Sequence, residues 1–164
     1  MANLFFKFGE KDTIIVPKKR KYYIETLYSY YSHSHYEEHL IETRKIIEEL
    51  YPQYLKSYDK VMKKRSGYMF NMFVMSKENL DQYCEWLFTI LANLEKSVEI
   101  EKYYDFQGRL FGRVSELLFN VWIDKNEKKV VELPWMHTEK INKISKIISF
   151  LQAKFINKRF KNSF

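Results

Sequence analysis

Apolar residues recur every three or four positions in several stretches of the chain, and this period is typical of amphipathic helices. The stretches are 36–50, a short one opened by Pro52, 76–94 with Ser76 as N-cap, 105–123 and 139–157. The stretch 22–34 is rich in Tyr and Ser, so we expect a loop with a helical turn there. The pattern therefore predicts a chain rich in helix.

Three shorter stretches have the composition of strands. Residues 12–17 are largely β-branched and end at Pro17, and residues 128–133 are closed by Pro134. Residues 66–75 form a nearly continuous apolar run, which predicts a strand buried on both faces. Strands separated by helices favour an α/β fold, here with a small sheet of two or three strands. A sheet of that size suggests that part of a larger domain is missing.

Composition narrows the class of protein. The chain has 164 residues with only 4 glycines and 3 prolines, which disfavours a turn-rich sandwich or barrel. Its single cysteine, Cys84, excludes an internal disulfide and fits a reducing compartment. The sequence has no apolar run of the roughly 18 residues that a membrane span needs, and its N-terminus lacks the pattern of a signal peptide. We expect a cytoplasmic protein.

The net charge of +7 comes from three basic clusters, at 18–21, 60–65 and 154–161. Such clusters attract nucleic acid, anionic lipid headgroups or phosphorylated ligands, and they are equally typical of a solvated basic surface. No nucleic-acid-binding motif accompanies them, so we expect no nucleic-acid partner. The basic C-terminal helix allows a peripheral contact with the inner face of the cell membrane.

A cluster of histidines and glutamates at residues 33–39 is the first candidate site. On a helix, His35 and His39 would face the same way, four residues apart. With Glu38 they match the H-x-x-E-H pattern of inverted zinc proteases, in which Glu116 would be sought as a third ligand. The alternatives are a polar helix start, or a sugar-binding and acid/base site. We assign no metal ligand and keep a zinc hydrolase only as a minor alternative.

The second candidate site is a helical stretch with two arginines. Arg109, Arg113 and Glu116 recur at helical spacing, so their side chains share one face of the predicted helix. Two arginines on one face can clamp a phosphate or a carboxylate, and Glu116 can orient one of them or act as a base. Gly108 and Gly112 each cost a helix about 1 kcal/mol against alanine, which suggests close approach of a backbone or a ligand. A surface ion pair worth less than about 1 kcal/mol is the alternative.

A few single residues give weaker indications of function than the two candidate sites. Asn71 is a polar residue within an apolar run, and a buried amide needs partners from the backbone or a ligand. Trp86 and Trp122 lie beside apolar stripes and are assigned to packing, whereas Trp135 is the candidate for exposed stacking. The chain has no Gly-rich phosphate loop and no C-x-x-C, G-x-S-x-G or D-x-D motif. We therefore assign no cofactor, and metal dependence stays open.

Five stretches carry a family resemblance. They are IVPKKRKYYIETLY at 15–28, HYEEHL at 35–40, MFNMFVM at 69–75, YCEWLF at 83–88 and QGRLFGRVSELL at 107–118. Together and in this order they resemble a bacterial family catalogued as domain of unknown function 4422. The resemblance implies that residues 12–136 are the C-terminal part of a GT-A-like glycosyltransferase domain. Residues 1–11 then form a divergent N-terminal segment, and residues 137–164 a basic amphipathic helix and tail.

The same resemblance implies a function. Family members are linked with hexosyl transfer, galactofuranosyl in particular, from a UDP-sugar to a glycan or lipid-linked acceptor in capsular polysaccharide or O-antigen synthesis. They carry an N-terminal half that binds the nucleotide, so we expect a truncated enzyme or one completed by a separate N-terminal partner chain. The alternative is a non-catalytic remnant or binding module on a partner chain or an anionic membrane.

The candidate residues are assigned to roles by their clustering. Glu37 or Glu38 is the expected base for the acceptor hydroxyl, with Glu116 next. Arg109 and Arg113 would stabilise the diphosphate as the donor bond breaks. Four further side chains are expected to bind the substrate: His35, His39, Asn71 and Gln107.

Overall fold

The computed structural model describes residues 13–99 and 109–134. Within those ranges the chain forms five α-helices, one 3-10 turn and two two-stranded sheets, which confirms a helix-rich α/β fold. The strands are β1 (Thr13–Pro17), β2 (Arg20–Lys21), β3 (Ser66–Gly67) and β4 (Lys129–Leu133). The helices are α1 (Leu27–Ser34), α2 (Glu38–Leu50), α3 (Leu55–Met62, after the 3-10 turn Pro52–Tyr54), α4 (Lys77–Ser97) and α5 (Leu110–Lys125).

Several predictions concern residues outside the described ranges. They are the helix at 139–157, the segments 1–11 and 137–164, Gln107, Gly108 and Trp135. The domain boundaries at residues 12 and 136 therefore stay predictions. In the ranges that are described, no helix is both long enough and apolar enough to cross a membrane.

Strands β1 and β4 pair in parallel and bring the two ends of the described chain together. Ile14 lies opposite Val130, and Ile15 opposite Val131. Successive residues of a strand point to opposite faces, and both isoleucines are buried, so β1 is covered on both sides. A parallel pair needs a crossover connection, and all five helices lie within this one. The strands predicted at 12–17 and 128–133 are confirmed.

The predicted strand at 66–75 is wrong. Only Ser66–Gly67 forms a strand, paired with Arg20–Lys21, and Val74 makes one isolated bridge to Ile15. Between them Asn71 adopts a left-handed backbone with φ of 45°, which interrupts any regular strand. Met72 and Val74 are each 52% exposed, so the run is not buried on both faces. A continuous apolar run has no period, and therefore it could not reveal this loop.

The predicted helices and their inward faces are largely confirmed. Helices α2, α3 and α4 each bury one face, whereas α5 is buried on all sides over residues 117–122. The longest helix, α4, packs beside α2 and α5. Trp86 and Trp122 are buried in this core, as their positions predicted. Leu50 and Leu80 are exposed instead of buried, and in α4 the neighbouring Asn79 takes the inward position. The buried side chains of the stripes include Leu40, Ile47, Tyr58, Val61, Ile90, Leu94, Leu117 and Leu118.

Helix α1 forms where a loop with a helical turn was expected. It begins at a capping box, in which the Thr26 hydroxyl accepts the Ser29 N–H at 3.1 Å and the Ser29 hydroxyl accepts the Thr26 N–H at 3.0 Å. Tyr31 lies on its buried face. The helix ends at His35, whose backbone is extended, and α2 starts only at Glu38. This break between the helices decides the geometry of the histidine cluster.

Candidate functional site

A cluster of one arginine and two tyrosines lies where β2 meets α1. The guanidinium carbon of Arg20 is 5.1 Å from the ring centre of Tyr22 and 5.5 Å from that of Tyr30. The two rings are themselves 4.4 Å apart. A cation over two aromatic faces gains about 0.5 to 2 kcal/mol from each, so these contacts hold Arg20 in place although it is exposed.

Glu116, on α5, acts on this cluster, because its negative charge contributes to raising the pKa of both Arg20 and Tyr22. Burial raises its pKa to about 7, and the opposing attraction of Arg20, Arg113 and Arg109 does not restore the usual value. A carboxyl with this pKa exists in both protonation states near neutral pH. It can therefore donate or accept a proton in that range.

The arginines leave the cluster with an excess of positive charge. Burial lowers the pKa of the Arg113 guanidinium, and repulsion from Arg109 adds to this effect, while Tyr31 and Glu116 act against it. Three guanidinium groups thus act on one carboxyl that is partly protonated at neutral pH. Such an arrangement favours binding of an anion with several oxygens, because arginine pairs with phosphate or carboxylate in a fork geometry.

The joint action of Arg109, Arg113 and Glu116 stays a prediction, which the electrostatic effect of both arginines on Glu116 supports. For Gly112, close approach of a described backbone is not found, whereas close approach of a ligand stays a prediction. A Cβ atom at Gly112 would meet no atom of the described chain within 4 Å, so no described backbone approaches it closely. Its carbonyl oxygen accepts two side-chain hydrogen bonds, from Asn71 Nδ2 at 2.9 Å and from Ser115 Oγ at 2.8 Å. The glycine lies at an exposed first turn of α5.

Asn71 is exposed and is not the buried strand amide that the sequence suggested. Its Nδ2 donates to the Gly112 carbonyl, and its Oδ1 accepts from Ser115 Oγ at 3.4 Å. The side chain thus ties the loop around residue 71 to the start of α5, close in sequence to Arg113. Its role in substrate binding stays a prediction.

His35 and His39 do not share a helix face. His35 lies in the extended break before α2, so the two residues are not one helical turn apart on a continuous helix. His39 is 0% exposed, and its Nδ1 is 2.8 Å from the Tyr31 hydroxyl. Among the residues that the structure describes, no group of three or more His, Cys, Asp or Glu side chains is arranged to hold a metal. The geometry that the zinc hydrolase alternative required is therefore absent there.

The two predicted bases, Glu37 and Glu38, lie at the start of α2. Both are exposed, and Glu37 Oε1 accepts a hydrogen bond from the Tyr28 hydroxyl at 2.8 Å. This bond and burial raise the pKa of Tyr28 to about 12, with burial the larger cause. The assignment of either glutamate as the base stays a prediction.

Sequence reasoning missed Arg20, Tyr22 and a buried carboxylate, Glu25. Arg20 was counted in a basic surface cluster, because nothing in its neighbourhood shows that residue 116 approaches it. Glu25 was missed because it lies in a polar stretch with no period. Its carboxylate accepts a hydrogen bond from the ring of His33, the histidine to which no role was assigned.

The basic cluster at 60–65 has a structural explanation. Lys60 and Lys64 both pair with Asp124, at 3.0 and 2.7 Å. Burial acts to raise the pKa of Asp124, but the hydrogen bonds from the two lysines lower it overall. These two ion pairs tie α3 and the turn after it to α5.

The fold resembles a solved structure described as the apo structure of the WbbM bifunctional glycosyltransferase. The TM-score is 0.74, with 31% sequence identity over 82% of this chain and 25% of that chain. This chain thus spans about a quarter of the length of that protein. No curated protein matches. This similarity indicates a glycosyltransferase-related domain.

Residues 3–127 match the family described as "Domain of unknown function (DUF4422)". The chain belongs to this family, as the five matching stretches implied. The matched range includes the whole of β1 to α5.

Proposed function

We propose that this chain transfers a hexosyl group, galactofuranosyl in the first instance, from a UDP-sugar to a glycan or lipid-linked acceptor in capsular polysaccharide or O-antigen synthesis. The observation that carries the proposal is the similarity of the fold, at 31% sequence identity, to part of a glycosyltransferase, and the positive charge of Arg20, Arg109 and Arg113 acting on Glu116 is consistent with it.

The three arginines suit the diphosphate of the donor. A UDP-sugar presents two phosphate groups, and charge-assisted hydrogen bonds to phosphate are about twice as strong as neutral ones. As the bond from the sugar to the diphosphate breaks, negative charge grows on the leaving oxygen. Fixed guanidinium groups stabilise this charge without reorganising, which lowers the barrier.

Glu116 completes the site through its raised pKa. Ionised, it balances part of the arginine charge when no donor is bound. Protonated, it donates a hydrogen bond to a phosphate oxygen and adds no negative charge beside the diphosphate. Donor binding at neutral pH is then expected to favour the protonated form. The base for the acceptor hydroxyl is a different group, for which Glu37 and Glu38 are the residues that the sequence suggested.

A second candidate function is a binding module that keeps the anion site and depends on a partner chain for transfer. The observation that favours it is the size of the parallel sheet, which has two strands among the described residues. Such a module would bind UDP but transfer no sugar by itself.

Calorimetric titration of the full chain with UDP tests the proposal. We expect binding, and we expect Arg113→Gln to weaken it at least about 10-fold, which corresponds to the loss of about 1.4 kcal/mol. Lys56→Gln is the matched control, because it removes one charge from an exposed position of α3. A Kd for UDP that is the same in Arg113→Gln as in the wild type would refute the donor site.

Transfer is measured next, as release of UDP from UDP-galactofuranose with octyl galactoside as acceptor. Transfer by the wild-type chain supports the enzyme. Binding of UDP without transfer supports the binding module.

A further inference from the structure

Glu25 and His33 form a hydrogen-bonded pair between the loop before α1 and the last turn of that helix. His33 Nδ1 is 2.7 Å from Glu25 Oε1. The two side chains differ sharply in exposure: that of Glu25 is 2% exposed, and that of His33 is 38% exposed. One end of the pair is therefore inside the protein and the other faces solvent.

The burial of Glu25 requires this pairing. A carboxylate without a partner costs several kcal/mol inside a protein, so it persists only where a hydrogen bond compensates it. Among the described residues, the side-chain partner of Glu25 is His33. A glutamate without such a partner would be expected at the protein surface, exposed to solvent.

The pair also fixes which nitrogen of His33 carries hydrogen. An ionised carboxylate only accepts hydrogen bonds, so Nδ1 must be the donor. The Nε2 atom of the neutral ring then keeps its lone pair and is the nitrogen available to take a proton. A carboxylate that orients a partly exposed histidine in this way is the arrangement of many general bases.

The pair borders the arginine site. Tyr30, which contacts Arg20, precedes His33 by three residues on α1, so the two side chains lie on the same side of the helix. On the loop side, burial is the main cause that raises the pKa of the Tyr22 hydroxyl, and the negative charges of Glu116 and Glu25 raise it further. Both carboxylates therefore act on Tyr22, whose ring also lies beside Arg20.

We infer that His33, oriented by Glu25, is the general base that deprotonates the acceptor hydroxyl. This inference rests on the proposed glycosyltransferase function. The acceptor oxygen forms a bond to the anomeric carbon as the bond from that carbon to the diphosphate breaks. UDP leaves with the electron pair of the broken bond. The acceptor proton moves to His33 Nε2 and is later released to solvent.

His33 suits this role better than Glu37 or Glu38 on geometric grounds. The carboxylates of Glu37 and Glu38 are exposed at the start of α2, and Glu37 is engaged by the Tyr28 hydroxyl. The Tyr28 bond of Glu37 lies at an exposed position, unlike the bond of His33 to the buried Glu25. A base held in place by a second group is more effective because less ordering is needed in the transition state.

The test measures transfer from UDP-galactofuranose to octyl galactoside, together with UDP affinity by calorimetry. The variants of the full chain are His33→Ala, His33→Gln and Glu25→Gln, with Glu85→Gln as the matched control at an exposed position of α4. We expect His33→Ala to lower kcat at least about 100-fold, which is the usual minimum for loss of a general base. UDP affinity should stay within about 2-fold, and added imidazole should restore part of kcat.

Several outcomes would overturn the inference. A kcat for His33→Ala within about 3-fold of the wild type excludes His33 as the base while the glycosyltransferase function stands. A loss in both His33 variants that imidazole does not restore, accompanied by weaker UDP binding, identifies a purely structural pair. If the wild type binds UDP but transfers no sugar, the role of His33 as a base is refuted and the proposed donor site stands. If the wild type neither binds UDP nor transfers sugar, the proposed function is refuted together with the inference.

Discussion

The side chain of Asn120 binds both backbone groups of Tyr68. Asn120 Oδ1 accepts the Tyr68 N–H at 2.8 Å, and Asn120 Nδ2 donates to the Tyr68 carbonyl at 3.0 Å. The same Nδ2 donates to the carbonyl of Glu116 at 2.7 Å. One buried amide thus takes the place of a neighbouring strand for the segment after β3. It also joins this segment to the turn of α5 that carries the candidate site.

We therefore predict that Asn120→Ala destabilises the protein by about 2 to 4 kcal/mol. The change leaves the buried N–H and C=O of Tyr68 without partners, and each such group costs about 1 to 3 kcal/mol. Urea unfolding measures the effect. Asn93→Ala is the control, because its Nδ2 bonds only within α4, to the Thr89 carbonyl, and we expect a change below about 0.5 kcal/mol. Equal effects of the two changes would contradict the prediction.

Gly67 is close to the same amide. A Cβ atom there would lie 3.1 Å from Leu27 Cδ1 and 3.2 Å from Asn120 Oδ1, and the second of these atoms is held by its hydrogen bond. We predict that Gly67→Ala lowers the free energy of unfolding by about 1 to 3 kcal/mol. Gly112→Ala is the control, since the space beside Gly112 is open and alanine favours helix by up to about 1 kcal/mol. Thermal unfolding should move the two variants in opposite directions.

The raised pKa of Glu116 predicts a pH dependence of stability. The folded state binds the proton of this carboxyl more tightly than the unfolded state, whose value is near 4.5. The contribution of Glu116 is therefore fully present below about pH 4.5 and is lost as the pH rises to about 7. One pKa unit corresponds to about 1.4 kcal/mol, so the total loss is on the order of 3 to 4 kcal/mol.

Glu116→Gln isolates this effect, because glutamine stays neutral at every pH. We expect the variant to be more stable than the wild type at pH 8 and to lose most of that advantage at pH 5. Urea unfolding at the two pH values measures it, with Glu85→Gln as an exposed control that should show no such difference. A constant difference between Glu116→Gln and the wild type across this range would disprove the raised pKa.

Arg20 supplies a test of the site that the sequence did not suggest. We predict that Arg20→Gln weakens UDP binding about 10-fold, or about 1.4 kcal/mol, since it removes one of the three charges near Glu116. Lys21→Gln is the matched control from the next position of β2, and it should change the Kd less than about 2-fold. Calorimetric titration compares the two. Equal losses would mean that general surface charge, and not the placement of Arg20, attracts the nucleotide.

Most features that depend on residues close together in the sequence were predicted correctly, and features that depend on distant residues were not. The helices could be predicted because their periods are local: Ile90 and Leu94 are buried one turn apart in α4, as their spacing indicates. The stretch around Asn71 could not, because a run of apolar residues lacks a period and an amide 49 residues away at position 120 determines its path. The prediction that His35 and His39 share a helix face was wrong for a related reason, since the break before α2 separates the two residues.

The sequence by itself determined the family, the succession of helices, and the two strands at the ends of the described chain. Each of these depends on residues that are neighbours along the chain or on short motifs. Only the tertiary structure placed Arg20 near Glu116 and buried Glu25 against His33. Burial and charge act through space, and Arg20, which acts on the pKa of Glu116, comes from β2, far from Glu116 along the chain.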